Sequence, residues 1–297
     1  MAKPIRIGIR DSGVGGLTVA RCVRRVLPDA SLLYFADTAH VPYGDRTPLE
    51  VRHFALSISQ FLIAQGAQIM VFACNTSSAY ALLEARRTLS TPVIGMIEPG
   101  ARIAVSASRS GRIGVLATQA TVASGVYTQW LKRLSPGVHC CEVACPDFVP
   151  LVESEQTHSV AARQASRRYL QPLLDDGVDS VILGCTHYPL LLPVLEEAAP
   201  HLRFVDPAEA VATEVAALAA RLTDEHAPER VHSNVTREYL ESPSETPGDV
   251  FYVSGESEGV RHWVQKLLPT GTGTPRHAPN IQHGPVFDCK IELSKSV

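Results

Sequence analysis

What the sequence lacks already excludes several classes of protein. No stretch approaches the roughly 18 uninterrupted apolar residues of a membrane helix. No dense run of lysine and arginine occurs and the net charge is only -3, so neither nucleic acid nor a membrane is expected as a partner. The opening, Met1-Ala2-Lys3-Pro4-Ile5-Arg6, has no apolar signal core, and a cytoplasmic chain is expected. Lysine is scarce: Lys3, Lys132, Lys266, Lys290 and Lys295 all lie outside strand-end motifs. That disfavours pyridoxal phosphate, which needs a lysine. The seven cysteines are an odd number with no C-x-x-C pair, which fits free thiols in a reducing compartment.

What is present reads as α/β. Val71-Phe72-Ala73-Cys74-Asn75-Thr76 and Val181-Ile182-Leu183-Gly184-Cys185-Thr186-His187 are two versions of one pattern. Each is an apolar run, as in a parallel strand buried on both faces, then a cysteine and polar side chains where a helix should start. Ile5–Ile9 and Arg112–Ala117 open the two halves in the same way. Arg6 and Arg112 lie 106 residues apart, Cys74 and Cys185 111 apart, so two related lobes are expected. Further strands are read at Ser31–Ala36, Val93-Ile94, Val138–Ala144, Arg203–Val205 and Val250–Ser254. Helices are read at Leu49–Ala64, Ser77–Leu89, His158–Leu174, Ala208–Leu222 and Gly259–Leu268. The expected lobes are 1–98 with 208–268, and 99–207, followed by a flexible tail over 269–297. The turn Gly13-Val14-Gly15-Gly16-Leu17-Thr18 is a broken dinucleotide fingerprint, with Thr18 where the third spaced glycine belongs. A tight strand-to-helix turn is the simpler reading.

Ligands of open α/β sheets bind at the carboxyl ends of the strands, so both thiols should face a ligand. A redox pair is disfavoured by the missing C-x-x-C. Zinc is disfavoured because Cys74 brings no second ligand at the usual spacing, and no metal is expected. A single nucleophile, Cys185 with His187, stays open. So does proton abstraction from carbon, one thiol on each face of a substrate. A free thiol titrates near about 8.5, and a helix N-terminus lowers that value, so partial thiolate character is expected at both cysteines. Either cysteine alone reads as packing; the matched pair argues for chemistry.

Asp11-Ser12-Gly13-Val14-Gly15-Gly16-Leu17, Pro42-Tyr43-Gly44, Ala73-Cys74-Asn75-Thr76, Ala117-Thr118 through Thr121, and Gly184-Cys185-Thr186-His187-Tyr188-Pro189-Leu190 together resemble bacterial glutamate racemase. The resemblance covers about nine-tenths of the chain. It implies two pseudo-symmetric, doubly wound α/β lobes with the site in the cleft between them. It also implies cofactor-free interconversion of L- and D-glutamate, with D-glutamate supplied for peptidoglycan. Cys74 would act on the D-isomer and Cys185 on the L-isomer, assisted by Asp11 and His187, with Glu153 near His187. Ser12, Tyr43, Gly44, Asn75, Thr76, Thr118, Thr121 and Thr186, with Asp11 and His187, would bind substrate. Arg10 departs from the pattern, standing where the family has an apolar or aromatic residue; Ser77-Ser78 and the tail depart as well. Aspartate racemase and other members of the wider group remain enzymatic alternatives, and a metabolite-binding protein without catalysis is the alternative from another class. Oligomeric state is open, a homodimer included.

Overall fold

The computed structural model describes residues 4–225, 248–268 and 279–289. Its strands are β1 (Arg6–Asp11), β2 (Ser31–Ala36), β3 (Ile69–Phe72), β4 (Val93–Gly95), β5 (Arg112–Ala117), β6 (His139–Ala144), β7 (Ser180–Gly184), β8 (Arg203–Val205), β9 (Val250–Val253) and β10 (Asn280–His283). The helices are α1 (Leu17–Val26), α2 (Pro48–Ala64), α3 (Asn75–Thr88), α4 (Ile97–Ala107), α5 (Gln119–Ser124) and α6 (Val126–Leu134). They continue with α7 (Phe148–Glu153), α8 (Val160–Asp175), α9 (Leu192–Ala198), α10 (Ala208–Glu225) and α11 (Glu258–Leu267).

Local chemistry explains the boundaries. Thr47 and Glu50 form a reciprocal capping box at the start of α2, and Gly66, at φ +92°, turns the chain after it. Thr118 caps α5 by accepting from the Thr121 N–H. The strands of the two sheets are apolar on both faces because helices cover them; Ile7, Ile9, Val71, Phe72, Ile182 and Leu183 are all buried.

The sheets run β10-β9-β2-β1-β3-β4 and β6-β5-β7-β8, and every pairing is parallel. The orders β2-β1-β3-β4 and β6-β5-β7-β8 are the same order repeated. In each the chain leaves the first strand toward one side and returns to the other. The gap between the ends of β1 and β3, and its equivalent between β5 and β7, is where a ligand fits an open sheet. Asp11 and Cys74 stand at the first gap, Thr118 and Cys185 at the second.

Three sequence expectations change. The break at 98/99 falls inside α4, which packs on α6, β7 and β8; Pro99 sits in the first turn, where proline is tolerated. Cys185 is followed by a short 3-10 turn, Tyr188–Leu191, and not directly by an α-helix. The flexible tail fails over Asn280–His283, which pairs with β9. Gly284 N–H donates to the Val253 carbonyl at 2.8 Å. Phe287 packs against Phe35, ring centroids 6.4 Å apart. The edge of β9 otherwise leaves unpaired backbone groups, and Asn-Ile-Gln-His has too few apolar residues to announce a strand. Residues 269–278 and 290–297 of the expected tail, and most of the polar stretch 223–248, lie outside the described residues.

Ending the chain at Leu268 should therefore uncover Phe35 and the β9 edge. The expected loss is on the order of 1–2 kcal/mol, read as a melting temperature lower by a few degrees. Unchanged melting would mean that β10 adds nothing to stability.

Candidate active site

The two gaps face each other and enclose one cavity, lined by Ser12, Tyr43, Gly44, Cys74, Asn75, Thr76, Thr118, Val149, Cys185, Thr186 and His187. Its volume is about 10 Å3, roughly the space one water requires. Asp11, Glu153 and Thr121 stand behind the wall and hold it. Val149 is a lining residue with no signal in the sequence.

The glycine-rich turn after β1 owes its composition to the other lobe. A side chain at Gly13 would put Cβ 2.2 Å from Glu153 Oε1, and one at Gly15 would put it 2.5 Å from His187 Nδ1. Both glycines are needed for this close approach; in this fold the turn packs on the opposite lobe. Val14 N–H donates to Glu153 Oε1 at 3.1 Å, and the same oxygen lies 2.6 Å from His187 Nε2. His187 Nδ1 lies 3.7 Å from Cys185 Sγ. A Cys185–His187–Glu153 line results, nearly all of it buried.

Burial alone would push the His187 pKa down, but Cys185 and Glu153 outweigh it through hydrogen bonds and charge, and His187 is raised well above the usual imidazole range. Glu153 is pushed up by burial and more strongly down by the His187 hydrogen bond and charge, ending below the usual carboxylate range. The line therefore favours the protonated form of the imidazole that lies beside the Cys185 sulfur.

Cys74 differs. It precedes α3 as the N-cap residue but makes no side-chain cap bond. Burial raises its pKa, the Asp11 carboxylate raises it further, and Arg10 opposes both. The helix N-terminus does not deliver the lowered value expected of this thiol, because desolvation dominates. Asp11 is itself raised by burial, opposed by His187 and the Gly13 N–H. Its Oδ1 accepts from Thr186 Oγ1 at 3.1 Å and its Oδ2 from Gly13 N–H at 3.1 Å.

The remaining wall is built of donors. Thr76 Oγ1 lies 2.9 Å from Thr118 Oγ1 and 3.1 Å from Thr121 Oγ1, joining the lobes through hydroxyls. Tyr127 Oη donates to Asn75 Oδ1 at 2.7 Å, which leaves the Asn75 Nδ2 hydrogens without a partner among the described residues. Tyr43 Oη donates to Asp37 Oδ2 at 2.5 Å, and Asp37 also meets His40 Nδ1 at 2.9 Å and Ser254 Oγ at 2.6 Å. Tyr127 had no signal in the sequence, since its partner Asn75 lies 52 residues away. Among the described residues no group of three or more His, Cys, Asp or Glu is placed to hold a metal, and no helix is long and apolar enough to cross a membrane.

Two cysteines thus stand at the facing ends of two repeated sheets, lining one cavity, and comparison with known proteins gives the family. The Asp/Glu/Hydantoin racemase profile matches residues 17–215. The chain belongs to that family and is an isomerase. Within the family it groups with the glutamate racemases. It is 47% identical over 211 residues to glutamate racemase of Geobacter metallireducens, covering 71% of this chain and 78% of that protein. A glutamate racemase isoform from Bacillus anthracis superposes with a TM-score of 0.80 at 30% identity, over 96% of this chain and 99% of that one. An aspartate racemase from Picrophilus torridus shares the fold alone, at 19% identity and a TM-score of 0.51, over 74% of this chain and 95% of that one.

Replacing Glu153 by Gln removes the charge that raises His187. The His187 titration, followed by NMR, should then move to lower pH. The signs are opposite for the two partners. His187, raised, contributes stability below its unfolded value and loses it as pH rises through the folded one. Glu153, depressed, contributes above its unfolded value and loses it as pH falls through the folded one. An unmoved His187 titration in the Gln variant would refute the pairing.

Proposed function

We propose that this chain interconverts L- and D-glutamate by proton transfer at the α-carbon between two thiols, without a cofactor. The observation that carries the reading is that Cys74 and Cys185 line one cavity from opposite lobes. In one direction the Cys185 thiolate takes the α-proton of L-glutamate, and the C–H electron pair passes into the α-carboxylate. The Cys74 thiol then delivers a proton to the other face, giving D-glutamate and a Cys74 thiolate. The reverse direction exchanges the roles. His187, held by Glu153, assists at Cys185, and Asp11 assists on the Cys74 side.

Charge growing on the α-carboxylate needs donors already in place. Asn75 Nδ2, the Thr76 and Thr118 hydroxyls, Ser12 and the backbone N–H groups of Asn75 and Thr76 at the start of α3 supply them. Tyr43, Gly44, Thr121 and Thr186 complete the binding set. The described lysines, Lys132 and Lys266, are exposed, consistent with a route that forms no lysine adduct. The choice of glutamate over aspartate follows the sequence relatives. Supply of D-glutamate for peptidoglycan in the cytoplasm is the biological role this activity fits.

The test is L-glutamate in deuterated water with no cofactor added, followed by circular dichroism and mass spectrometry. Loss of optical activity with deuterium at the α-carbon is expected. Cys74→Ser and Cys185→Ser should each slow racemisation roughly 10²–10⁴-fold. Full activity in either variant sinks the two-thiol mechanism. Exchange with aspartate but not glutamate would reassign the substrate, and ligand binding with no exchange would favour a binding protein.

A further inference from the structure

Arg10 is fully buried, and its surroundings do not neutralise it. Its neighbour Asp11 points to the opposite side of β1, as alternation requires. The guanidinium carbon lies 5.4 Å from the ring centres of both Tyr43 and Phe72. Nη2 donates to Tyr43 Oη at 3.2 Å, while Nε and Nη1 have no hydrogen-bond partner among the described residues. None of the ion pairs found among those residues includes Arg10. Asp37 is reached only through the Tyr43 hydroxyl and already receives His40 and Ser254. A buried cation left this way costs more than an apolar residue of the same volume, so its presence needs a reason.

The reason lies two residues beyond Phe72. Arg10 pairs in register with Phe72, and Cys74 follows on the same face, in the same buried cluster as Tyr43 and Phe72. Cys74 shares its cavity with Tyr43. The ionisable groups around Cys74 are Asp11 and Arg10 from β1, Tyr34 from β2 and Tyr43 from the loop after β2, with Cys185 and His187 facing it across the shared cavity. Arg10 is the cation that comes from the same lobe as Cys74. His187 lies 3.7 Å from the Cys185 sulfur and meets Cys74 only across the cavity, while Asp11 acts on Cys74 from its own lobe.

We propose that Arg10 is a positioning residue for the Cys74 half of the reaction: Tyr43 and the Tyr43 and Phe72 rings hold its guanidinium where it offsets Asp11 and stabilises a Cys74 thiolate. The proposal rests on the two-thiol reading. Each thiol then has its own cation, one that titrates (His187) and one that does not, because arginine stays charged. The Tyr43 hydroxyl serves twice, lining the substrate cavity and fixing the guanidinium.

The experiment is peptide-resolved alkylation with iodoacetamide from pH 6 to 10.5 (pH range chosen to span about two units either side of a thiol) on the full chain and on Arg10→Met, Arg10→Phe and Arg10→Lys. In a folded apolar variant the Cys74 inflection should rise by about one pH unit, so alkylation at neutral pH slows about tenfold. The Cys185 profile should not move, and Lys should recover most of the Cys74 shift. An unchanged Cys74 profile in a folded apolar variant overturns the proposal. Failure of both apolar variants to melt cooperatively does so too, since it would make Arg10 a structural partner of the Tyr43–Asp37 network. Alkylation reports on Cys74 whether or not the thiol carries the reaction. A Cys74→Ser protein that stayed active would therefore sink the mechanism without deciding the role of Arg10.

Discussion

A single carboxylate oxygen, Oε1 of Glu153, holds the glycine turn of the first sheet against the imidazole of the second. It takes the Val14 N–H from one lobe and faces His187 Nε2 from its own. Most else at the site follows from that contact. Gly13 and Gly15 must lack side chains for the turn to come so close. The ring of His187 is fixed with Nδ1 toward Cys185. Asp11, drawn into the same layer, meets Thr186 across the cleft. A charge-assisted hydrogen bond in a water-poor setting is stronger than its exposed equivalent, which suits a contact joining two halves of one site.

The repeat built two similar sheets, and the chemistry on them is unequal. Cys185 has His187 two residues away on the same strand end, its Nδ1 3.7 Å from the sulfur. Cys74 shares its cavity with Tyr43, and the charges of Asp11 and Arg10 on β1 act on it in opposite senses. A reaction that moves a proton from one face of a carbon to the other does not need identical acids, since each thiol must serve as acid in one direction and base in the other. It needs each thiolate to be supported while the other thiol is protonated. In the two-thiol mechanism proposed above, the two lobes meet that requirement with different cations.

Much of this was legible along the chain. The strands ending in Cys74 and Cys185 were visible because buried parallel strands are continuous apolar runs with hydroxyl and amide residues at their ends. What was misread was equally physical. β10 is too short and too polar to show a period. α4 runs through Pro99, which looked like a break but sits where a helix accepts proline. The thiolate character expected of Cys74 from its helix was overridden by burial, which no local pattern reports.

The amino-acid sequence by itself determined the α/β class, the doubled strand-end motif and the kind of chemistry its residues can do. Those rest on periodicity, caps and residue type within a few positions. Tertiary structure alone decided which partners those residues meet: Glu153 with Val14, Tyr127 with Asn75, Arg10 with Tyr43 and Phe72. These pairs lie from 33 to 139 residues apart. Only the strand order and the closure of one lobe on the other bring them within hydrogen-bonding reach.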